Sequence, residues 1–197
     1  MASHEPDYMG WIFSPASPRR IAPEKARNLI RAIRRTRPGI RHVGVLARNT
    51  VPDIHRIVGA AGGELDYLQL VDDGGLMEAL RNERTHVGLP PIAPALRVKE
   101  QISDWDLRRR GPVPFHVLDS FVPGRPGGTG KRLAPELIRE VRAPYLLAGG
   151  LRPENVREAV AGLHAMGVDV SSGLEDGIPG RKNPSKVAEF VRLARGG

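Results

Sequence analysis

Short apolar runs alternate with longer amphipathic segments along the whole chain. Most of the apolar runs lack a strict alternation of apolar and polar positions, which is typical of parallel strands buried on both faces. The predicted strands are residues 8–13, 42–46, 67–71, 86–89, 115–118, 145–148 and 168–170.

The segments between these runs have helical periodicity, and several begin with an X-Pro step that suits the first turn of a helix. In the last of them, apolar residues at 187, 190, 191 and 194 fall on one helical face. The predicted helices are residues 23–35, 52–60, 75–82, 98–109, 135–141, 153–163 and 184–195. Regular alternation of strand and helix predicts an all-parallel α/β architecture.

The position of the glycine-rich turns distinguishes two parallel architectures. An open doubly wound sheet typically has such a turn after its first strand, but residues 14–20 contain no glycine and the glycine turns come late in this chain. This favours a TIM-type (β/α) barrel, with seven recognisable strands of the eight that a complete barrel needs. No low-complexity linker divides the sequence, so we expect residues 1–197 to form a single (β/α)-barrel domain.

Two of the late strands run into turns of small residues. Gly149 and Gly150 follow one, Ser172 and Gly173 follow the other, and a predicted helix with Pro153 in its first turn lies between them. Glycine lets a backbone approach a ligand closely, and a helix N-terminus offers unbonded N–H groups. Two such turns at neighbouring strand ends predict a cradle for a phosphate group.

Three charged residues are candidates for the chemistry of a site. Asp119 ends a predicted strand, where partial burial would make it a general acid, although capping a loop or pairing with an arginine is an equal alternative. Asp169 lies in an apolar strand and must be paired there, orienting the next turn or contacting a substrate. Arg19 could clamp a substrate carboxylate or be an exposed arginine.

Three further features of the sequence mainly exclude classes of functional site. Residues 124–131 superficially resemble a phosphate loop but lack the Walker A spacing, so they form either a loop over a site or a surface turn. The six histidines have no metal-ligand spacing, and we predict no metal. With no cysteine, the chain has no disulfide and no thiol nucleophile.

Composition and charge limit the classes of molecule that we expect this protein to bind. The net charge is +8, but the basic runs 31–37 and 108–110 lack interleaved aromatics, which argues against nucleic acid. The charge fits a solvated arginine-rich surface and would also favour a small anionic substrate. No apolar run is long enough to span a membrane and no signal peptide is recognisable, so we predict no membrane contact and a cytoplasmic location.

Several segments occur in the order found in one enzyme family, and together they cover nearly all of residues 7–195. They are residues 10–19, 43–46, 68–70, 117–120, 127–131, 148–156 (AGGLRPENV) and 167–175 (GVDVSSGLE). On these segments the chain resembles the phosphoribosylanthranilate isomerase family, the (β/α)8 enzymes of tryptophan biosynthesis.

The resemblance implies an Amadori rearrangement of N-(5-phosphoribosyl)anthranilate without a cofactor. It implies that Asp119 is the general acid, that Arg19 binds the anthranilate carboxylate and that Asp169 binds substrate. It also implies a phosphate site, formed by Gly149, Gly150, Ser172 and Gly173.

The chain also departs from the family pattern. The family begins with a strand that carries the cysteine base, and this sequence begins where the second strand would; Val71 stands where the family has a histidine. Three interpretations stay open: a truncated isomerase, a paralogue that binds a sugar phosphate without catalysis or with another base such as Glu5 or Asp7, and a subunit whose open edge is covered by a homodimer or hetero-complex.

Overall fold

The computed structural model describes residues 5–71, 75–82, 88–109, 111–120 and 132–196. Within these ranges the sheet has seven strands, and their order in the sheet follows their order in the chain. The strands are β1 (Tyr8–Ile12), β2 (Arg41–Ala47), β3 (Tyr67–Val71), β4 (Ile92–Val98), β5 (His116–Ser120), β6 (Tyr145–Leu147) and β7 (Gly167–Val168). The helices are α1 (Pro23–Thr36), α2 (Val51–Ala61), α3 (Leu76–Asn82), α4 (Asp104–Arg108), α5 (Val156–Val160) and α6 (Pro184–Ala194).

The chain divides into two compact units, and each is described by itself. The first unit is Pro6–Pro94, and the second is Ala95–Gly197 with residues of the amino terminus. The prediction that residues 1–197 form a single domain stays a prediction.

In the first unit, β1 and β3 flank β2 as parallel neighbours. One face of α1, with Ala26 and Ile30, is buried in the same apolar cluster as Ile54 of α2 and Leu68 of β3. The helix α2 begins with a capping box, in which the side chains of Thr50 and the third helical residue satisfy each other's backbone amides.

A buried polar pair lies beside this cluster. The Trp11 indole Nε1 donates a hydrogen bond of 3.2 Å to His42 Nδ1, and the His42 side chain is fully buried. The Asp66 carboxylate accepts hydrogen bonds from the His42 amide at 2.7 Å and from the Arg34 guanidinium at 2.9 Å. Because indole can only donate, His42 must present an unprotonated Nδ1, which fits a neutral imidazole.

In the second unit, β5 lies between β4 and β6, and β7 follows β6, all in parallel pairs. Leu118 of β5 and Leu147 of β6 belong to an apolar cluster with Leu107 of α4, Val156 of α5 and Phe190 of α6. Alternate residues of a strand point to opposite faces of the sheet. The residues next to Leu118 and Leu147 in their strands therefore lie on the face that the helices do not cover.

The structure corrects the predicted strand 86–89. Residues 86 and 87 lie outside the described ranges, while Gly88 and Leu89 are not in a strand, and the strand here is Ile92–Val98. The prolines at 90, 91 and 94 obscured it, because proline lacks the N–H that a central strand position donates.

Three predicted helices are shorter than expected. The helix predicted for 98–109 begins at Asp104, because Val98 ends β4 and Ser103 forms hydrogen bonds to the Asp106 carboxylate at the helix start. Residues 135–141 form only a 3-10 turn, at Pro135–Leu137. In an α-helix the Leu137 carbonyl would accept from the amide of residue 141, but here it accepts from the Ile102 amide at 2.9 Å.

The third of these helices was predicted for residues 153–163. It is reduced to Val156–Val160, because Ala161 is extended and Gly162 has a φ of 71°.

Protonation of His42 should make stability depend on pH. Burial lowers the pKa of His42 below its usual 6.5, the Arg34 charge lowers it further, and Asp66 and Glu64 oppose this. The unfolded chain therefore binds this proton more readily, so stability falls as pH drops below about 6.5, by at most about 1.4 kcal/mol per pH unit. Urea unfolding at pH 5, 6 and 7 should show a flatter dependence for His42→Gln.

Exposed His164 provides the control for this measurement. His164→Gln removes an imidazole that the fold does not enclose, so it accounts for the loss of a histidine as such. Equal slopes for His42→Gln and the unaltered protein would contradict the assignment.

Candidate active site at the ends of β5, β6 and β7

Two carboxylates and one guanidinium lie in one row across the second unit. Arg97 of β4 is the register partner of Asp119 of β5, and the Asp169 amide donates to the Leu147 carbonyl at 2.8 Å directly after β7. Leu118, which precedes Asp119, faces the helices. Arg97, Asp119 and Asp169 therefore share the opposite face of the sheet, at the carboxyl ends of the strands.

The environment of Asp119 raises the pKa of its carboxyl. Removal from solvent raises the pKa of this partly exposed carboxyl above its usual value. The Ser120 amide, which donates to Asp119 Oδ1 at 2.7 Å, the Arg97 charge and the Ser120 hydroxyl lower the pKa by less. A carboxyl that retains its proton more readily than an ordinary aspartate can serve as a general acid.

Asp169 is coupled to Asp119. Loss of solvent and the nearby Asp119 charge raise the pKa of Asp169 to about 6, while the Lys182 charge and the Val170 amide oppose the shift. The structure places Asp169 just after β7, not inside a strand as the sequence predicts. The two carboxyls thus resist ionising together.

Gly149 is the point where the backbone after β6 meets Asp119. Its φ is 96°, and a Cβ built there would lie 2.7 Å from Asp119 Oδ1 and 2.9 Å from the Ser120 amide nitrogen. A side chain therefore has no room, and glycine is also the residue that adopts this φ without strain. The close approach packs the first small-residue turn directly against the candidate acid.

The second small-residue turn packs against the first. A Cβ on Gly173 would overlap the Leu151 carbonyl oxygen and would lie 3.1 Å from Arg152 Cγ. Ser172–Leu174 form a 3-10 turn, and the first amides of such a turn have no partner within the turn itself.

Four backbone amides of these turns are available to an anion. Within the described residues, no acceptor is recorded for the amides of Gly149, Gly150, Ser172 and Gly173. The arrangement can therefore bind an anion such as a phosphate group.

Asn155 holds the first turn, a role that the sequence patterns did not reveal. Its Oδ1 accepts from the Arg152 amide at 2.8 Å, and its Nδ2 donates to the Gly150 carbonyl at 3.0 Å. The available signal is an asparagine that follows Gly150 by five residues and immediately precedes α5, since such side chains bond to nearby backbone. Arg97 was also missed, because β4 was placed elsewhere.

Arg19 lies in the first unit. It is partly buried in the turn after β1, where its amide donates to Ser17 Oγ at 3.2 Å. The structure brings together the other predicted site residues at the ends of β5, β6 and β7, and the place of Arg19 relative to them stays a prediction.

Residues 124–131 lie outside the described residues. Among the residues that are described, no group of three or more His, Asp or Glu side chains is placed to hold a metal ion. Likewise, no described helix is long and apolar enough to cross a membrane.

Removing the Asp119 charge should lower the pKa of Asp169. In Asp119→Asn, the neighbouring negative charge is gone, so Asp169 should ionise below about 6. Carbon-13 NMR titration of the aspartate carboxyls measures this. The surface variant Glu158→Gln removes one negative charge without this contact, and an equal shift in it would contradict the coupling.

A methyl group at position 149 should lower the free energy of unfolding by more than backbone strain alone would. Gly149→Ala must displace Asp119 or Ser120 as well as adopt a strained φ, and we expect a loss of about 2–4 kcal/mol of unfolding free energy. Gly162→Ala is the matched control, with a φ of 71° and no atom within 4 Å of the added Cβ. Equal losses in denaturant unfolding would show that the contact with Asp119 contributes nothing.

Comparisons with known proteins identify the family of this chain. The family model for N-(5'-phosphoribosyl)anthranilate isomerase matches residues 1–193. The isomerase of Rubrobacter xylanophilus is 36% identical over 191 residues, which are 96% of this chain and 88% of the relative.

Solved structures agree as well. The phosphoribosyl anthranilate isomerase of Thermus thermophilus superposes with a TM-score of 0.77 at 24% identity, over 99% of this chain and 90% of the other, which confirms the TIM-type fold with seven recognisable strands. A second isomerase, in complex with reduced 1-(o-carboxyphenylamino)-1-deoxyribulose 5-phosphate, has a TM-score of 0.70 at 27% identity, over 99% and 90%. The chain belongs to the N-(5'-phosphoribosyl)anthranilate isomerase family.

Proposed function

We propose that this chain catalyses the Amadori rearrangement of N-(5'-phosphoribosyl)anthranilate to 1-(o-carboxyphenylamino)-1-deoxyribulose 5-phosphate. The observation that carries the proposal is the Asp119 carboxyl, whose pKa burial raises and which lies against the Gly149 turn. The family membership and the complex of one relative with a reduced product analogue support it.

The phosphate group of the substrate binds to the two turns. The amides of Gly149, Gly150, Ser172 and Gly173 donate to its oxygens, and the backbone at Gly173 lies against the Leu151 carbonyl, directly after the first turn. Binding of the phosphate group at the two turns orients the sugar ring toward the carboxyl ends of β5 and β7.

The proton of Asp119 starts the reaction. Asp119 donates it to the ring oxygen as the C1–O bond breaks, and the lone pair of the anilino nitrogen forms a C=N bond to C1. Loss of the C2 proton to a base then gives an enol, and tautomerisation to the ketone completes the isomerisation. Asp169 contacts a substrate hydroxyl in this scheme, and Arg19 binds the anthranilate carboxylate.

The base that takes the C2 proton is the open part of this scheme. The 197-residue sequence contains no cysteine. Asp7, one candidate from the sequence, precedes β1 and so lies at the amino end of that strand, opposite the end that leads to Arg19. Because barrel enzymes keep their chemistry at the carboxyl ends, Asp7 is a poor candidate, and Glu5 lies still earlier in the chain.

The two turns alone support a second candidate function, because amides that bind an anion need no catalytic base. A paralogue with these turns would bind a sugar phosphate without turnover, or would act as a subunit whose partner supplies the base. A homodimer or hetero-complex of this kind, and a cytoplasmic location, stay predictions.

Asp119→Asn tests the proposed function. An amide cannot donate the acid proton, so kcat/KM should fall by about 10²–10⁴-fold while the protein stays folded. The fluorescence of the anthranilate group follows turnover, and circular dichroism follows folding.

Asp176→Asn is the control for this variant, since it removes an exposed carboxylate of the same unit that pairs with Lys186. It should retain activity. A folded, unaltered protein that binds phosphate and turns over no substrate would overturn the proposed function and favour the binding protein.

A further inference from the structure

Lys182 contacts both ends of the second small-residue turn. Its Nζ donates to the Ser171 carbonyl at 2.8 Å and lies 3.2 Å from Ser171 Oγ. The same Nζ donates to Glu175 Oε1 at 2.8 Å. One ammonium group therefore spans the segment that contains Ser172 and Gly173.

In the ion pair between Lys182 and Glu175, the carboxylate is enclosed and the lysine is exposed. The side chain of Glu175 is 4% exposed and that of Lys182 is 37% exposed. The Gly180 amide also donates to Glu175 Oε1, at 2.9 Å. A carboxylate with so little access to water depends on such partners, so the position of Lys182 is tightly determined.

The backbone of Lys182 is tied to the same turn. Glu175 and Lys182 form an antiparallel bridge, and the Asn183 amide donates to the Leu174 carbonyl at 2.7 Å. The lysine side chain therefore reaches Ser171 from a fixed origin and needs little ordering when a ligand binds.

Ser171 sets the direction of the amides that follow it. Its carbonyl accepts from both Lys182 Nζ and the Leu174 amide, which closes the 3-10 turn. Gly173 has no spare room against the Leu151 carbonyl. A shift at Ser171 would therefore move the Ser172 and Gly173 amides away from the first turn.

We propose that Lys182 is a positioning residue for phosphate recognition: it holds residues 171–175 so that the Ser172 and Gly173 amides point at the anion, and it does not bind the phosphate itself. The inference rests on the proposed function, and it adds a residue that the sequence motifs did not single out.

Lys182→Met tests the proposal, because methionine keeps much of the apolar stem and removes the charge and its hydrogen bonds. KM should rise by about tenfold or more, with a smaller change in kcat, and the Kd for inorganic phosphate should rise in parallel. Steady-state kinetics and calorimetry with inorganic phosphate measure the two effects.

Arg181→Met is the matched control. Arg181 is the exposed neighbour of Lys182, so this variant removes the same charge from the same segment. Its KM and its Kd for phosphate should be unchanged. An equal rise in both variants would show that net charge, and not the contact with Ser171, is responsible.

Glu175→Gln separates positioning from direct binding. If Lys182 acts through the turn, loss of its ion-pair partner should weaken phosphate binding, since the lysine is no longer fixed. If Lys182 binds the phosphate itself, the released ammonium should bind it as well or better, and that result would overturn the proposal.

The double variant Lys182→Met with Glu175→Gln is the control for a folding defect in Lys182→Met. It leaves no enclosed carboxylate without a cation, so it should fold even where Lys182→Met does not. It still lacks the contact with Ser171 and should keep the raised KM. An unaltered KM in the folded double variant would overturn the proposal.

The unaltered protein separates this inference from the proposed function. Phosphate binding without turnover would overturn the proposed function, and the Kd values of the variants would still decide the role of Lys182. Turnover with equal KM in all variants would overturn the role of Lys182 alone. No binding of phosphate by the unaltered protein would overturn both.

Discussion

The site depends on a steric constraint at two glycines. The backbone at Gly149 lies against Asp119 and Ser120, and the backbone at Gly173 lies against the carbonyl of Leu151, in both cases with no room for a Cβ. Three successive strand ends therefore lie in contact, with the glycine backbone packed against Asp119, Ser120 and Leu151. Side chains at these points would separate the acid from the first turn and the first turn from the second.

The same packing determines the electrostatics. Bringing the strand ends together removes Asp119 and Asp169 from water, which raises the pKa of both, and the charge of Asp119 raises the pKa of Asp169 further. The Arg97 charge opposes the shift of Asp119, and the Lys182 charge opposes the shift of Asp169. Both carboxyls therefore retain a proton more readily than ordinary aspartates do, although two cations lie nearby.

The sequence predicted the parts of this arrangement that depend on local pattern. Apolar runs before Gly149 and before Ser171 located β6 and β7, and the small residues after them identified the turns. The strand containing Arg97 was missed because its prolines resemble a loop, and the true limits of the helices depend on non-local contacts such as Ile102 with Leu137. Lys182 could not be found from spacing, since its role comes from a fold that returns it to Ser171.

The two turns are held by side chains that use the carbonyls and leave the amides. Asn155 donates to the Gly150 carbonyl, and Lys182 donates to the Ser171 carbonyl. Both residues are donors from outside the turn, so neither competes for the N–H groups that an anion needs. A carboxylate has only acceptors, so in either place it would lose the hydrogen bond to the carbonyl. An amide and an ammonium can therefore hold the two turns and still leave their N–H groups available to an anion.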